Sequence, residues 1–190
     1  MSTIEPPQPL LARPKRADAR RNYEKVLAAA REAFAEGGES TALEEIARRA
    51  GVGIGTLYRN FPNRQALIEA LYLEEVEEVC RSAAEQLDGA DSWEALNGWF
   101  ERFIGYIATK RSILEELNRD SPMMKDSREA MYAAGKPLLA RAQASGDARP
   151  DLAFADLLQL VIGVANATYT DEEQRRRVLA LALDGVRAAR

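Results

Sequence analysis

The sequence contains no histidine and only one cysteine among its 190 residues. Without histidine, the chain has no Ser-His or Cys-His nucleophilic pair and no histidine metal site. It also has no CxxC pair, P-loop or dinucleotide-binding fingerprint. Acidic residues are plentiful, but no spacing singles out a catalytic pair of carboxylates. We therefore expect a protein that is not an enzyme and that needs neither a metal nor a cofactor.

Long apolar runs are missing as well. No stretch of 18 apolar residues is present, so we expect no membrane span. The amino end lacks the apolar core of a signal peptide. Cys80 has no partner for an internal disulfide, and we interpret it as a small apolar residue within a helix. These features favour a protein of the reducing cytoplasm.

The stretch from residue 41 to residue 67 has the pattern of two short helices joined by a tight turn. Thr41, followed three residues later by Glu44, predicts a capping box, so the first of these helices should begin near Thr41. Gly51 follows the last apolar position of that helix, where a residue that tolerates positive φ is commonly needed. Gly53 is the expected cap of the second short helix.

Further signals mark the ends of this pattern. Pro62 should end the second short helix, and Asn63 can cap a new helix from Arg64 onward. Upstream, apolar residues at helical spacing predict an amphipathic helix over Ala19–Glu36 that ends at two glycines. A plain helical hairpin would share several of these signals. The order of three helices favours a helix-turn-helix head, which lays its last helix in the DNA major groove.

The residues from about Arg16 to Tyr72 resemble the DNA-binding head of the TetR family of bacterial transcriptional regulators. An I-A-x-x-A-G-V turn is followed by G-T-L-Y-x-x-F and by a basic residue that opens the fourth helix. The matching positions are Ile46, Ala47, Ala50, Gly51, Val52, Gly55, Thr56, Leu57, Tyr58 and Phe61. The sequence departs from the family at Gly53, where serine or threonine is frequent, and at Asn60, where histidine is frequent.

The resemblance implies a set of DNA contacts. It places Ile54, Gly55 and Thr56, after the cap Gly53, against base edges, with Arg59 as a candidate for reading a base. It assigns phosphate contacts to Tyr58 and Asn60 on the same helix and to Arg64 at the start of the next one. Thr41 would contact a phosphate from the preceding helix. A basic arm ahead of the first helix can add contacts through Arg16, Arg20 and Arg21, unless these charges serve only solubility.

The charge is divided unevenly along the chain. Residues 11–64 carry eleven basic and seven acidic side chains, whereas residues 65–190 carry fifteen basic and twenty-two acidic ones. A basic head that meets phosphates and an acidic body that does not compete for DNA explain the net charge of −4. We expect a disordered, proline-rich and basic arm over residues 1–15, a DNA-binding domain over 16–63, and a regulatory and dimerisation domain over 64–190.

Beyond the head, the pattern predicts only helices, so the fold class is all-α with about nine helices in total. The expected ranges after the head are Arg64–Leu87, Trp93–Thr109, Ser112–Asn118, Ser127–Ser145, Asp151–Tyr169, and a last helix opened by Asp171.

The last two helices are apolar on more than one face, which favours a homodimer that buries four helices as a bundle. We expect interface positions at Leu158, Val161, Leu181 and Val186. The alternative is that the other helices of the same chain cover these faces. The resemblance also implies a cavity for a small-molecule inducer, although each apolar residue there can equally be ordinary core. Its candidate lining residues are Trp99, Phe103, Tyr106, Met123, Met131, Tyr132 and Phe154.

These observations predict a sequence-specific DNA-binding regulator that acts as a homodimer on double-stranded, palindromic operator DNA. Repression relieved by an unknown small molecule is the expected mode, with activation left open. The alternative is a dimeric helical scaffold that does not bind an operator.

Overall fold

The computed structural model describes residues 12–89, 91–113, 117 and 121–188. The prediction of an all-α fold is confirmed, because the only β-pairing within those residues is a single antiparallel bridge between Ala148 and Arg187. Among the described residues there are eight α-helices and a short 3-10 turn, Gly38–Ser40. The helices are α1 (Ala17–Gly37), α2 (Leu43–Ala50), α3 (Ile54–Asn60), α4 (Arg64–Leu87), α5 (Ser92–Ile113), α6 (Pro122–Ala144), α7 (Phe154–Asn166) and α8 (Glu172–Asp184).

The count differs from the expected nine because the short helix over 112–118 is not a separate element in the described part. Residues 112 and 113 end α5, and the rest of that range, apart from Leu117, lies outside the described residues. Residues 1–11, most of the expected arm, lie outside them too. None of the described helices combines the length and apolarity needed to cross a bilayer.

The capping box expected at Thr41 is wrong. Helix α2 begins two residues later, at Leu43, and its cap position is Ala42, which has no capping side chain. The Thr41 hydroxyl instead donates to the carbonyl oxygen of Ala33 at 3.0 Å. The Thr41 hydroxyl therefore bonds to the last turns of α1 and does not cap the first amides of α2.

The boundaries of α6 and α7 also differ from the expected ranges. Helix α6 begins at Pro122, five residues early, because the Ser121 hydroxyl accepts from the Met124 amide at 3.3 Å and proline suits the first helical position. Helix α7 is shorter than expected at both ends. The opening of α8 by Asp171 is confirmed, since its carboxylate accepts from the Gln174 amide at 2.7 Å.

The described residues form two compact units. We call residues 12–77 with the described residues of 109–124 the head unit, and residues 78–108 with 125–188 the body unit. The boundary expected between residues 63 and 64 falls inside the head unit, and α4 contributes residues to both units.

The core of the head unit explains why three short helices hold together. The ring of Tyr23 from α1 lies 4.8 Å from that of Phe61, which follows α3. Both rings are buried, as are Leu57 of α3 and Leu67 of α4. Other fully buried contributors are Val26, Leu27, Ala30, Phe34, Ile46, Ile68 and Leu71.

The core of the body unit is centred on Trp99 in α5. Its indole N–H donates to the carbonyl of Val79 at 3.1 Å, so its polar atom is satisfied although the side chain is fully buried. Gly135 of α6 approaches so closely that a Cβ there would lie 2.5 Å from Trp99 Cη2. At the start of α5, the Ser92 and Ser145 hydroxyls lie 2.6 Å apart and both donate to Asp147. These hydrogen bonds, from Ser92 and then Ser145, lower the pKa of Asp147.

Candidate nucleic-acid interface

The turn between α2 and α3 is set by two glycines. Gly51 has a φ of 65°, in the left-handed region that side chains with a Cβ rarely adopt. This conformation lets the Val52 amide donate back to the Ala47 carbonyl at 3.0 Å, which closes the end of α2. Gly53 is then the cap residue of α3, in extended conformation, as the sequence predicts.

Helix α3 divides into a buried side and an exposed side. Leu57 is completely buried and anchors the helix to the core of the head unit. Ile54 and Tyr58 lie on the other side and are 38% and 44% exposed. Gly55 and Arg59 share that side and are exposed as well, and Thr56 is half-buried at its edge. The structure therefore brings the predicted base-reading residues onto one accessible surface.

Several arginines of the head unit are neutralised by acidic side chains. Arg31 of α1 pairs with Glu75 and Glu74 of α4 at 2.6 and 3.1 Å, and Arg13 pairs with Glu77 at 2.7 Å. Burial raises the pKa of Glu74.

The arginines of α2 are also paired. Glu45 accepts from Arg48 and Arg49, whose hydrogen bonds lower its pKa to about 2. Arg49 also reaches Glu36 at 2.8 Å.

A second group of basic residues differs from these. Among the described residues, Arg16, Arg20, Arg21 and Arg59 make no ion pair, and all four are exposed. Arg20 donates to the Pro14 carbonyl at 3.4 Å, which ties the start of α1 to the chain before it. These four arginines thus lie at the start of α1 and on α3, where phosphates are expected, whereas both arginines of α2 are paired.

Three of the residues predicted to bind phosphates form hydrogen bonds within the head unit. Arg64 lies with its guanidinium carbon 4.8 Å from the Phe34 ring centre and donates to the Thr41 carbonyl. The Thr41 hydroxyl is bonded to α1, as described above. The Asn60 amide donates to the Thr56 carbonyl at 2.9 Å within α3. Their contacts with DNA stay predictions, and Arg64 has an additional part in holding Thr41 and Phe34 in place.

The residues predicted to line a ligand cavity fall into two groups. Met123 belongs to the head unit and is half-buried. The other six lie in the body unit, where Trp99 stacks on Phe103 with ring centres 5.3 Å apart and lies 5.6 Å from Phe154. Phe103 also contacts Tyr106 at 5.6 Å, and the partly exposed Tyr132 meets Phe154 edge-on at 5.2 Å. Met131 is buried.

Gly135 was missed by sequence reasoning. Its signal was a lone glycine inside a helical pattern, which often marks a close approach.

The positions predicted to lie in the dimer interface differ in how far they are exposed. Leu181 is 71% exposed and Leu158 is half-buried, so both have surface left to contribute. The prediction that Val161 and Val186 lie in the interface is wrong. Both side chains are almost fully covered by their own chain and have no surface left for a partner. Leu160, 41% exposed on α7, was not among the predicted positions. The sequence feature that could have identified Leu160 is its position in the long apolar run of that helix.

Comparison with known proteins covers most of the chain. Residues 26–71 match the family of bacterial regulatory proteins called tetR, and residues 91–188 match the SbtR-like transcriptional regulator C-terminal domain. A TetR transcriptional regulator of known structure from Streptomyces coelicolor is 40% identical over 88% of this chain and 99% of that chain, with a TM-score of 0.79. A second, from Mycobacterium vanbaalenii, is 32% identical over 92% of this chain and all of that chain, with a TM-score of 0.76.

Two other relatives are less similar in sequence. The transcriptional regulator UidR of Escherichia coli K12 is 26% identical over 78% of this chain and 80% of its own length. The TetC protein of Escherichia coli is also 26% identical, but the chain spans only about half of its length, 52%.

Proposed function

Because the chain belongs to the TetR family of bacterial transcriptional regulators, we propose that it represses transcription as a homodimer on a two-fold operator and is released by a small molecule. It is a DNA-binding regulator with a helix-turn-helix. We assign it a binding role and no catalytic one, and place it in the cytoplasm, where its DNA is found.

The observation that carries the DNA-binding geometry is the exposed side of α3. Ile54, Gly55, Tyr58 and Arg59 lie outward there, while Leu57 fixes the helix from within. A helix presented in this way can enter the major groove, where base edges carry the sequence information. The arginines without an ion pair at the start of α1 and on α3 suit phosphates, which would hold the head in register.

The dimer is proposed from the apolar surface of α7 and α8. Leu160 and Leu181 remain well exposed, although Leu157 and Val161 of α7 and Leu183 of α8 are buried within the chain. A second copy of the same surface would cover them, and a two-fold dimer presents two heads to two half-sites.

The release step is proposed to act through α4, which contributes residues to both units. A ligand that favours one position of α4 over another would alter the spacing of the two heads. Couplings between two such sites are typically about 1–3 kcal/mol.

The test is a selection of binding duplexes from a random library, using the full chain, followed by titration of the selected duplex. We expect Arg59→Ala to relax the preference at one position of each half-site. Glu32→Ala, an exposed change on α1, is the matched control and should leave the preference unaltered. Failure of the wild-type chain to enrich any sequence would contradict the proposal.

A further inference from the structure

Ser127 of α6 has a buried hydroxyl without a hydrogen-bond partner among the described residues. Its side chain is only 1% exposed. Serines in helices usually satisfy themselves on the preceding turn, as Ser82 does by donating to the Val79 carbonyl at 3.0 Å. Leaving a buried polar group unpaired costs about 1–3 kcal/mol. An unpaired hydroxyl of this kind calls for an explanation.

The position of Ser127 follows from the register of α5 against α6. The Ser92 hydroxyl meets that of Ser145, and Trp99 meets Gly135, so the two helices run antiparallel. Ser127 lies eight residues before Gly135, about 12 Å along the helix, and Tyr106 lies seven residues after Trp99, about 10 Å along its own helix. Ser127 and Tyr106 are therefore at the same level of this helix pair.

The residues near that level of the helix pair are aromatic rings and a flexible methionine. Phe103 and Tyr106 have ring planes 33° apart, and Phe103 lies nearly parallel to Trp99, at 17°. Met131 is spaced four residues from both Ser127 and Gly135, so the three share one side of α6. Its unbranched thioether side chain can change rotamer to make room.

The other end of the same cluster is closed. A Cβ at Gly135 would lie only 2.4 Å from Phe154 Cζ, so the rings around Trp99 are already in close contact with α6. The Trp99 end of the cluster therefore has no space beside α6, whereas Ser127 lies at the level of Tyr106, about two helical turns away.

We propose that Ser127 is the hydrogen-bonding anchor of a small-molecule site between α5 and α6, and that the ligand is a flat aromatic compound carrying a hydroxyl or carbonyl group. Phe103 and Tyr106 supply faces for stacking, and Met131 moves aside to admit the ring system. The hydroxyl of Ser127 both donates and accepts, so it pairs with either oxygen group. This inference rests on the proposed release by a small molecule and names the chemistry of that ligand.

The experiment compares two probes of nearly the same shape, 2-naphthol and naphthalene, by equilibrium dialysis against the full-length protein. We expect the wild type to bind 2-naphthol more tightly, and Ser127→Ala to reduce that preference about five- to tenfold, the usual value of one hydrogen bond. Ser82→Ala is the matched control, because it removes a serine hydroxyl that is satisfied within its own helix; it should keep the wild-type preference.

Two results would overturn the proposal. One is that the wild type binds neither probe up to its solubility limit, and the other is that wild type and Ser127→Ala prefer 2-naphthol over naphthalene by the same factor. The melting temperature supplies a second measurement. Removing an unpaired hydroxyl should leave it unchanged or raise it, whereas a marked decrease would reveal a structural partner and contradict the inference.

Operator titration without any probe keeps this inference separate from the proposed function. If the wild type binds its selected duplex but neither probe, the ligand chemistry is wrong and the regulator stands. If it binds 2-naphthol through Ser127 but no duplex, the site stands and the proposed function is wrong.

Discussion

Arg64 shows how one residue of the head serves both structure and binding. Its guanidinium stacks on Phe34 and donates to the Thr41 carbonyl, so it joins the start of α4 to α1 and to the turn before α2. Lysine keeps the charge but has neither the planar face for stacking nor the fork of donors. The two roles can therefore be separated by substitution.

We predict that Arg64→Lys weakens binding to the selected duplex several-fold while the slope of log affinity against log salt stays at its wild-type value. Arg64→Ala should weaken binding further and flatten that slope by about one unit, since it also removes a phosphate contact. Titrations at four or more salt concentrations measure both quantities. Wild-type affinity in Arg64→Lys would show that the contacts with Phe34 and Thr41 do not matter for binding.

Tyr23 gives the head a dependence on alkaline pH. Burial raises its pKa from the ordinary 10.0 to about 12. Because the folded value exceeds the unfolded one, its contribution to stability is complete below pH 10 and is lost as the pH rises from about 10 to 12. We expect urea unfolding, followed by circular dichroism, to show a steeper loss of stability above about pH 10 in the wild type than in Tyr23→Phe. Equal pH slopes in the two proteins would contradict this assignment.

At the scale of single residues, sequence reasoning succeeded where the signal is local. Gly51 at the turn, Gly53 as a cap, and Asn63 accepting from the Ala66 amide at 2.8 Å all depend on neighbours within four positions. Thr41 failed because its hydroxyl is taken by Ala33, eight residues earlier, across the turn. Spacing rules for caps contain no information on such a competing acceptor.

Helices α5 and α6 pack closely enough at one point that only glycine fits there. A side chain at Gly135 would overlap Trp99 and Phe154, both of which are buried. We predict that Gly135→Ala lowers the free energy of unfolding by about 1–3 kcal/mol, as overpacking of a core does.

Gly105→Ala is the control for this effect. Gly105 is exposed on α5, and a Cβ there would lie at an ordinary 3.6 Å from Arg102 Nη1. It should be neutral or stabilising by up to about 1 kcal/mol, because alanine favours helix more than glycine does. Chemical denaturation of both variants provides the comparison, and similar values for the two would argue against the close contact of α5 with α6.

Element boundaries were predictable where a cap or a proline is close in sequence. The bounds of α4 agree with the predicted range at both ends, and α8 opens after Asp171 as expected. The start of α6 was missed because the apolar periodicity becomes clear only after Ser127, whereas the helix begins at Ser121 and Pro122 through local capping. Which helix covers which apolar face was not predictable, as Val161 and Val186 show.

At the scale of the whole molecule, the proposed dimer requires a second copy that covers α7 and α8. Leu181 is 71% exposed and Leu183, on the same helix, is 9% exposed. We predict that Leu181→Arg gives a folded monomer by sedimentation velocity and circular dichroism, and that it loses affinity for the duplex. Leu183→Arg should instead unfold the chain, because it buries an unpaired charge. A dimeric Leu181→Arg protein with wild-type affinity would remove Leu181 from the interface.

The most direct test of the central claim is the effect of half-site spacing on affinity. Two α3 helices held by one dimer must enter successive major grooves on the same side of the duplex. Inserting about five base pairs, half a helical turn, between the half-sites of the selected duplex rotates one of them to the opposite side. We predict that the affinity of the wild-type protein for this duplex falls by at least about tenfold, towards non-specific binding. Unchanged affinity for the separated half-sites would contradict the account.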